Sequence, residues 1–333
     1  MYTKLDFNFK TILITGGAGF IGSNIAFYFQ ENYPLSNIVI FDCFRGDELL
    51  TNGNLKSFGH YKNLINFKGT IICGDINNKD DLDRLSDFRI DYIFHQAAIS
   101  DTRVYDQELV MRTNVNSFYD IISIGLKNNA TIVYASSAST YGSTSSPQTI
   151  GNESPENPYG YSKFAMDNIA LDYKKTDPNL RIIGLRYFNA YGPKEFYKGK
   201  TASLVIQLGH QILDKKIPQL FQGSDKIFRD FIYIDDIIQA VIKSCSLQKN
   251  GIYNVGTGQA RSFQDISDIL QKELNTDLGN SYFPNPHDGY QFHTQADISS
   301  TISDLGYSPN ISLEQGIKKY ISEIKRLHGQ SSI

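Results

Sequence analysis

The chain has 333 residues, with 32 basic against 35 acidic side chains and a net charge of −3; it can bury a large core in one unit or two domains, and the absence of a basic block argues against a nucleic-acid partner. Its three cysteines, Cys43, Cys73 and Cys245, are far apart and include no C-x-x-C pair, which predicts buried thiols in a reducing cytoplasm and neither a disulfide nor a zinc site. No apolar run is long enough for a bilayer and residues 1–10 lack a signal-peptide core, so a soluble, cytoplasmic protein with no membrane partner is expected.

In chain order, the first element is a short apolar strand over Thr11–Thr15. It runs into Gly16-Gly17-Ala18-Gly19-Phe20-Ile21-Gly22, and Ser23–Glu31 then reads as a helix. A strand passing through a glycine turn into a helix N-terminus is a cradle for a diphosphate: backbone N–H groups and the positive end of the helix dipole face the anion, and glycine lets the main chain approach it closely. The general dinucleotide fingerprint is G-x-G-x-x-G; the spacing here, G-x-x-G-x-x-G, resembles the extended short-chain dehydrogenases/reductases that act on nucleotide sugars.

A second strand signal, Ile38–Phe41, ends at Asp42, where a carboxylate would bond adenosine ribose hydroxyls and repel a 2′-phosphate. Taken alone this favours NAD. The long segment Phe44–Gly69 that follows holds Arg45, Lys56, Lys62 and Lys68, and Lys79 lies just past the third strand, Thr70–Cys73. A structureless loop of that length is usually functional. Cations there point to NADP, with NAD as the alternative and solvated surface lysines as the plain reading of most of them.

The alternation continues with strands at Tyr92–Phe94, Thr131–Ala135 and Arg181–Leu185, and helices near Lys79–Leu85, Leu109–Leu126 and Tyr159–Tyr173. It predicts a Rossmann-type doubly wound parallel α/β sheet with a smaller α/β substrate lobe. The dinucleotide-binding domain is expected over 1–187, with returns near 231–256, where Phe231–Ser246 and Ile252–Val255 are apolar, and near 296–310. The lobe takes 188–230, 257–295 and 311–333. After the fourth strand, His95-Gln96-Ala97-Ala98 puts small residues where the backbone must pass the dinucleotide; His95 reads as a packing or capping histidine.

Chemistry enters at Tyr159 and Lys163, which share one face of a helix at i, i+4. A phenol with a pKa near 10 is a poor base at neutral pH. An adjacent ammonium stabilises the phenolate, so that Tyr159 can exchange a proton with a substrate hydroxyl, and the same ammonium can bind the nicotinamide ribose. Composition alone gives about 1.4 such pairs by chance, yet Tyr159 is the only tyrosine with a lysine four positions on. The fifth strand supplies the context. It runs into Ala135-Ser136-Ser137, bringing Ser137 to the carboxyl end of a central strand, where ligands of open α/β sheets bind.

Tyr-Ala-Ser-Ser-Ala (134–138), Tyr-Gly-Tyr-Ser-Lys (159–163), Arg-Tyr-Phe-Asn-Ala-Tyr-Gly-Pro (186–193), Arg-Asp-Phe-Ile-Tyr (229–233), Tyr-Asn-Val-Gly-Thr-Gly (253–258) and Thr-Gln-Ala-Asp (294–297) extend the likeness nearly end to end. Together with Gly-Pro-Lys-Glu-Phe-Tyr-Lys-Gly (192–199), Leu-Phe-Gln-Gly-Ser (220–224) and Tyr-Gln-Phe-His-Thr-Gln (290–295), they make the chain resemble the ADP-L-glycero-D-manno-heptose 6-epimerases of lipopolysaccharide biosynthesis. The resemblance implies inversion at carbon 6 by hydride removal to a bound nicotinamide and return to the other face, because that C–H proton is too weakly acidic for direct abstraction. It implies Tyr159, Lys163, Ser137 and Lys198 as catalytic residues, Lys198 serving as the second acid/base group. Read without it, Lys198 is an exposed loop lysine beside Lys194 and Lys200.

The turn, the strand ends and the resemblance give the expected dinucleotide contacts as Gly16, Gly19, Phe20, Ile21, Gly22, Asp42, Cys43, Arg45, Lys79, Gln96, Ala97, Ala98, Ser100, Asn114, Tyr159, Lys163 and Ala190. Expected substrate contacts are Ser137, Asn189, Lys198, Lys200, Gln207, Phe221, Gln222, Gly223, Ser224, Arg229 and Tyr290. Arg229 is either a diphosphate clamp or the partner of Asp230 or Asp235, and Asn189 either holds a sugar hydroxyl or caps its loop. The chain departs from the family pattern in about ten residues before the first strand, in the longer Phe44–Gly69 loop and in Lys200. A 4-epimerase or 4,6-dehydratase stays open, although Ser139-Thr140 offers no carboxylate for dehydration, as does a silent NADP-binding protein. No metal is expected, and a closed homo-oligomer is.

Overall fold

Seven parallel strands form the frame of the computed structural model, which describes residues 5–177, 179–246, 250–285 and 291–332. The chain enters through β1 (Thr11–Thr15), α1 (Phe20–Asn32), β2 (Asn37–Asp42), β3 (Thr70–Cys73), α2 (Lys79–Asp83) and β4 (Tyr92–His95). It continues through α3 (Gln107–Met111), α4 (Ser117–Asn128), β5 (Thr131–Ser137), α5 (Pro158–Thr176) and β6 (Arg181–Tyr187). A π-turn over Arg112–Asn116 joins α3 to α4. Ile12, Leu13, Ile14, Ile93, Phe94, Ile132 and Val133 are fully buried, as a parallel sheet covered by helices on both faces requires. Only the edge strand β3 is largely exposed.

The second half supplies β7 (Asn189–Tyr191), α6 (Leu204–Leu213), β8 (Gln219–Phe221), β9 (Phe228–Tyr233), α7 (Ile234–Ser244) and β10 (Gly251–Val255). After them come β11 (Ala260–Ser262), α8 (Phe263–Leu274), β12 (Ser281–Phe283), α9 (Ser299–Leu305) and α10 (Leu313–Leu327). The large sheet has the order β10-β6-β5-β4-β1-β2-β3. Its direction of winding reverses between β1 and β4, the switch point at which such sheets bind ligands. One face carries α1 and α7, whose Ile25, Phe29, Ile237 and Val241 share a core. The other carries α4 and α5, through Phe118, Ile121, Met166 and Ala170. Helices α6, α8 and α10 pack on one another as the second lobe.

Two expectations are corrected. Of the two apolar segments expected to rejoin the sheet, only Ile252–Val255 does so, as β10 beside β6. Phe231–Tyr233 ends β9, the middle strand of a separate sheet ordered β11-β9-β7. The buried Asp230 carboxylate fixes that arrangement by accepting the N–H groups of Thr257, Gly258 and Ala296. Of the cysteines, only Cys245 is buried; Cys43 and Cys73 are exposed free thiols at the open carboxyl ends of β2 and β3. Ahead of β1, Phe7 is fully buried against Phe29, Tyr33 and Tyr92. No helix among the described residues is long and apolar enough to cross a membrane.

Candidate active site

A cleft of about 560 Å³ opens at the carboxyl ends of β1, β2, β4 and β5. Its floor is the glycine turn. Gly16 has φ +67°, and a Cβ there would lie 2.7 Å from the Ala97 nitrogen, so this position needs glycine for both conformation and space. A Cβ on Gly22 would sit 2.3 Å from the Gly16 carbonyl, whereas one on Gly19 would meet only that carbonyl, at 3.2 Å. Gly22 therefore serves packing of turn against helix, while Gly19 borders the cleft. Helix α1 starts at Gly19 without a side-chain cap, leaving its first N–H groups for an anion.

At the β2 end, Asp42 is buried and accepts the N–H of Ala18 at 2.9 Å and of Phe44 at 2.7 Å. Burial raises its carboxyl above the usual range against the pull of those two bonds. Gly16, Gly19, Phe20, Ile21, Gly22, Asp42, Cys43, Gln96, Ala97, Ala98, Ser100, Ala190, Tyr159 and Lys163 of the expected dinucleotide set all line the cleft.

Three do not. Lys79 is exposed at the start of α2, outside the cleft. Asn114 sits behind the wall in the π-turn, where its amide bonds both backbone groups of Ile99 and the Ser162 hydroxyl; it braces the loop after β4 against α5. Arg45 turns its guanidinium away from the cleft, to the carbonyls of Tyr197 and of Ser332, the latter at 2.6 Å. Conversely Lys56, Ser57, Asp75 and Asn77 line the adenosine end beside Asp42 and were outside the expected set. The long loop folds back on the glycine turn through the bond from His60 N–H to the Ala18 carbonyl, and that return carries Lys56 to the cleft. Charge in the loop was the only sequence signal for it.

Ser137, Tyr159 and Lys163 come together as expected. Helix α5 begins with Asn157, whose side chain accepts the Gly160 N–H at 2.8 Å, followed by Pro158 in the first turn. A Cβ on Gly160 would lie 2.3 Å from the Ser139 carbonyl. This glycine lets the helix sit against the turn after β5 and brings Tyr159 beside Ser137. Burial raises the phenol above its usual value and Ser137 opposes that. Ser137 accepts the Ser139 N–H at 3.1 Å, so its own proton is free to be donated. Lys163 is 1% exposed, and its ammonium lies 5.9 Å from the Tyr159 ring centre and 3.8 Å from the Met166 sulfur. Burial lowers it to about 8, with Asp167 opposing.

Lys198 lies on a strap, Phe196–Thr201, with its ammonium 5.7 Å from the Phe20 ring and its side chain lining the cleft. Burial lowers its pKa; Glu195 and Asp101 oppose. Lys198 thus lies near Phe20, which opens α1 on one face of the sheet, while Tyr159 lies on α5, which packs on the other.

Of the remaining substrate set, Asn189 lines the cleft and Lys200 an adjoining recess with Arg103. Gln207 donates to the Ala202 carbonyl at 2.6 Å, fastening the end of the strap. Phe221, which ends β8, and Gln222, Gly223 and Ser224 after it lie outside the cleft wall, with Ser224 buried. Arg229 is 7% exposed and donates to the carbonyls of Phe228 and Gln291. Asp235 pairs with Lys319 at 2.8 Å, and Asp230 serves the backbone as described. Tyr290 lies outside the described residues. His95 is a packing residue, bonded to Thr15 at 2.7 Å and stacked on Phe118. No cluster of metal-ligating side chains occurs among the described residues.

The cleft fits a nicotinamide dinucleotide on three observations. The glycine turn leaves an anion site, the Gln96 amide is buried without a well-formed partner among the described residues, and the hydrogen-bond partner of the Lys163 ammonium among them is a thioether.

Comparison with known proteins agrees. Residues 12–256 match the NAD dependent epimerase/dehydratase family. The chain is 37% identical over 334 residues to the ADP-L-glycero-D-manno-heptose-6-epimerase of Brachyspira hyodysenteriae, covering 96% of this chain and 99% of that one. It is similar to the crystal structure of the Helicobacter pylori ADP-L-glycero-D-manno-heptose-6-epimerase, at 48% identity and TM-score 0.89 over 98% and 99% of the two chains. A mutant UDP-glucuronic acid 4-epimerase from Bacillus cereus, in complex with UDP-4-deoxy-4-fluoro-glucuronic acid and NAD, superposes at TM-score 0.80 and 28% identity over 96% and 100%.

Proposed function

The chain belongs to the NAD dependent epimerase/dehydratase family and, within it, to the ADP-L-glycero-D-manno-heptose 6-epimerases, and from that premise we propose how its residues perform the reaction. It interconverts ADP-D-glycero-D-manno-heptose and ADP-L-glycero-D-manno-heptose at carbon 6, in lipopolysaccharide heptose biosynthesis. A nicotinamide dinucleotide held at the glycine turn would supply the hydride acceptor and donor for carbon 6.

The chain's own groups handle the protons. Tyr159, beside Ser137 and with the Lys163 ammonium 5.9 Å from its ring, exchanges the C6 hydroxyl proton for one epimer. Lys198, on the strap beside Phe20 of α1, exchanges it for the other. Its lowered pKa suits that task, since a proton relay works best near the operating pH. The observation that supports this reading is that Tyr159, on α5, and Lys198, on the strap beside Phe20 of α1, line one cleft. Among the described residues the carboxylates lining the cleft are Asp42 and Asp75, both at the adenosine end, which leaves the sugar end without the acid of a 4,6-dehydratase.

NADP is the proposed dinucleotide, with Lys56 and Ser57 beside Asp42 as its 2′-phosphate partners; a cytoplasmic homo-oligomer is the proposed setting. Incubation with ADP-D-glycero-D-manno-heptose in deuterated water, followed by proton NMR, tests the reaction. The expected outcome is inversion at carbon 6 without deuterium entering that position. Deuterium incorporation there, or inversion at carbon 4, would refute it.

A further inference from the structure

The strap that carries Lys198 has little structure of its own. It is a 3-10 turn broken at Gly199 (φ +57°, ψ −125°), held internally by the bonds from Lys198 N–H to the Glu195 carbonyl and from Ala202 N–H to the Gly199 carbonyl. What fixes it comes from elsewhere, and much of it from the long segment between β2 and β3.

His60 lies flat on the Tyr197 ring, with centroids 4.0 Å apart and an interplanar angle of 5°. Arg45, two residues past Cys43 and the end of β2, donates to the Tyr197 carbonyl. Lys194, at the start of the strap, donates to the Asn63 carbonyl at 2.6 Å. The same segment is docked on the dinucleotide turn, through the bond from His60 N–H to the Ala18 carbonyl at 3.0 Å and from the Asn63 amide to that carbonyl at 3.1 Å. A continuous path of contacts therefore runs from the glycine turn through His60 to Tyr197, the residue next to Lys198. Arg45, expected from sequence to meet a phosphate, belongs to this path.

We infer that His60 and Arg45 are positioning residues for Lys198: they clamp Tyr197 from both ring and backbone, and so hold the second proton-exchanging group at the face of the substrate opposite Tyr159. This rests on the reading of Lys198 given above. A flat ring stack fixes the orientation of Tyr197, and the guanidinium bond fixes the height of its peptide over the cleft. Loss of either frees the one residue between them and the ammonium. Misplacement of a reacting group by about 1 Å can cost about 100-fold in rate, so removal of one contact of two is expected to cost about 10-fold to 100-fold in the step that Lys198 serves, and little in the step that Tyr159 serves.

The one-sidedness makes the test specific. Holoenzyme is mixed with each pure epimer in a single turnover, and the absorbance of the reduced nicotinamide is followed in the parent, His60→Ala, Arg45→Met, His60→Phe and Lys198→Met. With His60→Ala and Arg45→Met, reduction should slow by the stated factor from one epimer only. From the other epimer the reduced form should rise at the parental rate and linger, because only its discharge needs Lys198. His60→Phe, which retains the stack, should restore most of the parental behaviour; thermal melting shows which variants are folded. Equal slowing from both epimers, or no slowing, in folded His60→Ala and Arg45→Met overturns the clamp when Lys198→Met is one-sided. A Lys198→Met enzyme that is not one-sided overturns the reading of Lys198 itself, and the clamp with it.

Discussion

Replacing Gly19 with alanine separates the dinucleotide site from the stability of the fold. Gly19 precedes α1 with φ −78° and ψ −176°, a conformation open to any residue. An added Cβ meets only the Gly16 carbonyl, at 3.2 Å, which asks for a shift of a few tenths of an ångström. Alanine gains about 0.4–1 kcal/mol by restricting the unfolded chain and loses a few tenths of a kcal/mol or more because it is a poorer N-cap than glycine. The net change is expected within about 1 kcal/mol, or about 2 °C in melting temperature for a chain of this size.

The methyl group nevertheless projects where a diphosphate must approach the first N–H groups of α1. Losing one charge-assisted hydrogen bond costs about 1.5–3 kcal/mol, so dinucleotide affinity should fall about 10-fold to 100-fold. The assay pairs the dinucleotide content of purified, denatured protein with thermal melts in added NADP, since a ligand raises stability in proportion to the logarithm of its saturation. Gly22→Ala is the control: its Cβ would stand 2.3 Å from the Gly16 carbonyl, and overpacking against backbone costs about 1–3 kcal/mol. A Gly19→Ala protein that keeps its full dinucleotide and its NADP-dependent shift would refute the assignment of this turn to the diphosphate.

Lys56→Ala should weaken NADP binding by about 10-fold while changing NAD binding by less than about 2-fold, as for the loss of one phosphate partner; titration with both dinucleotides checks it, and equal effects on the two would remove Lys56 from the 2′-phosphate site. Stability should also fall in acid. His60 and His95 are lowered to about 4 and about 3, mainly by burial, so below pH 6.5 the unfolded chain binds protons that the folded chain refuses, and stability present above pH 6.5 is lost as pH falls through that window. For His60 the limit is about 3 kcal/mol, discounted to about 1–2 kcal/mol for solvent screening. Urea unfolding at pH 7 and pH 5 should therefore show a smaller pH difference in His60→Phe than in the parent, and the same difference in both would refute the assignment.

What the sequence disclosed and what it hid divide along regular and irregular structure. The seven strands of the main sheet were readable because each is a short apolar run, and Tyr159 with Lys163 because helical spacing alone sets them on one face. β9 was misread for a related reason. Phe231–Tyr233 is as apolar as a strand of the main sheet, and what diverts it is tertiary, the Asp230 carboxylate holding Thr257, Gly258 and Ala296. Cations in the long loop were visible as charge but not as direction. Lys79 points to solvent and Arg45 into the strap, whereas Lys56 reaches the cleft.

The same division bears on how the enzyme can be specific. Ser137, Tyr159 and Lys163 sit on a strand end and a helix whose geometry the sheet imposes. Lys198 sits on a strap kinked at Gly199, held by the Glu195 carboxylate on Ser203, by Gln207 on the Ala202 carbonyl and by contacts from the loop between β2 and β3. That loop both borders the cleft and contacts Tyr197, so on the proposed reading it is the dinucleotide-binding half that holds the second acid/base group. On the proposed reading, the substrate's carbon 6 is the part that turns between the two proton-exchanging groups.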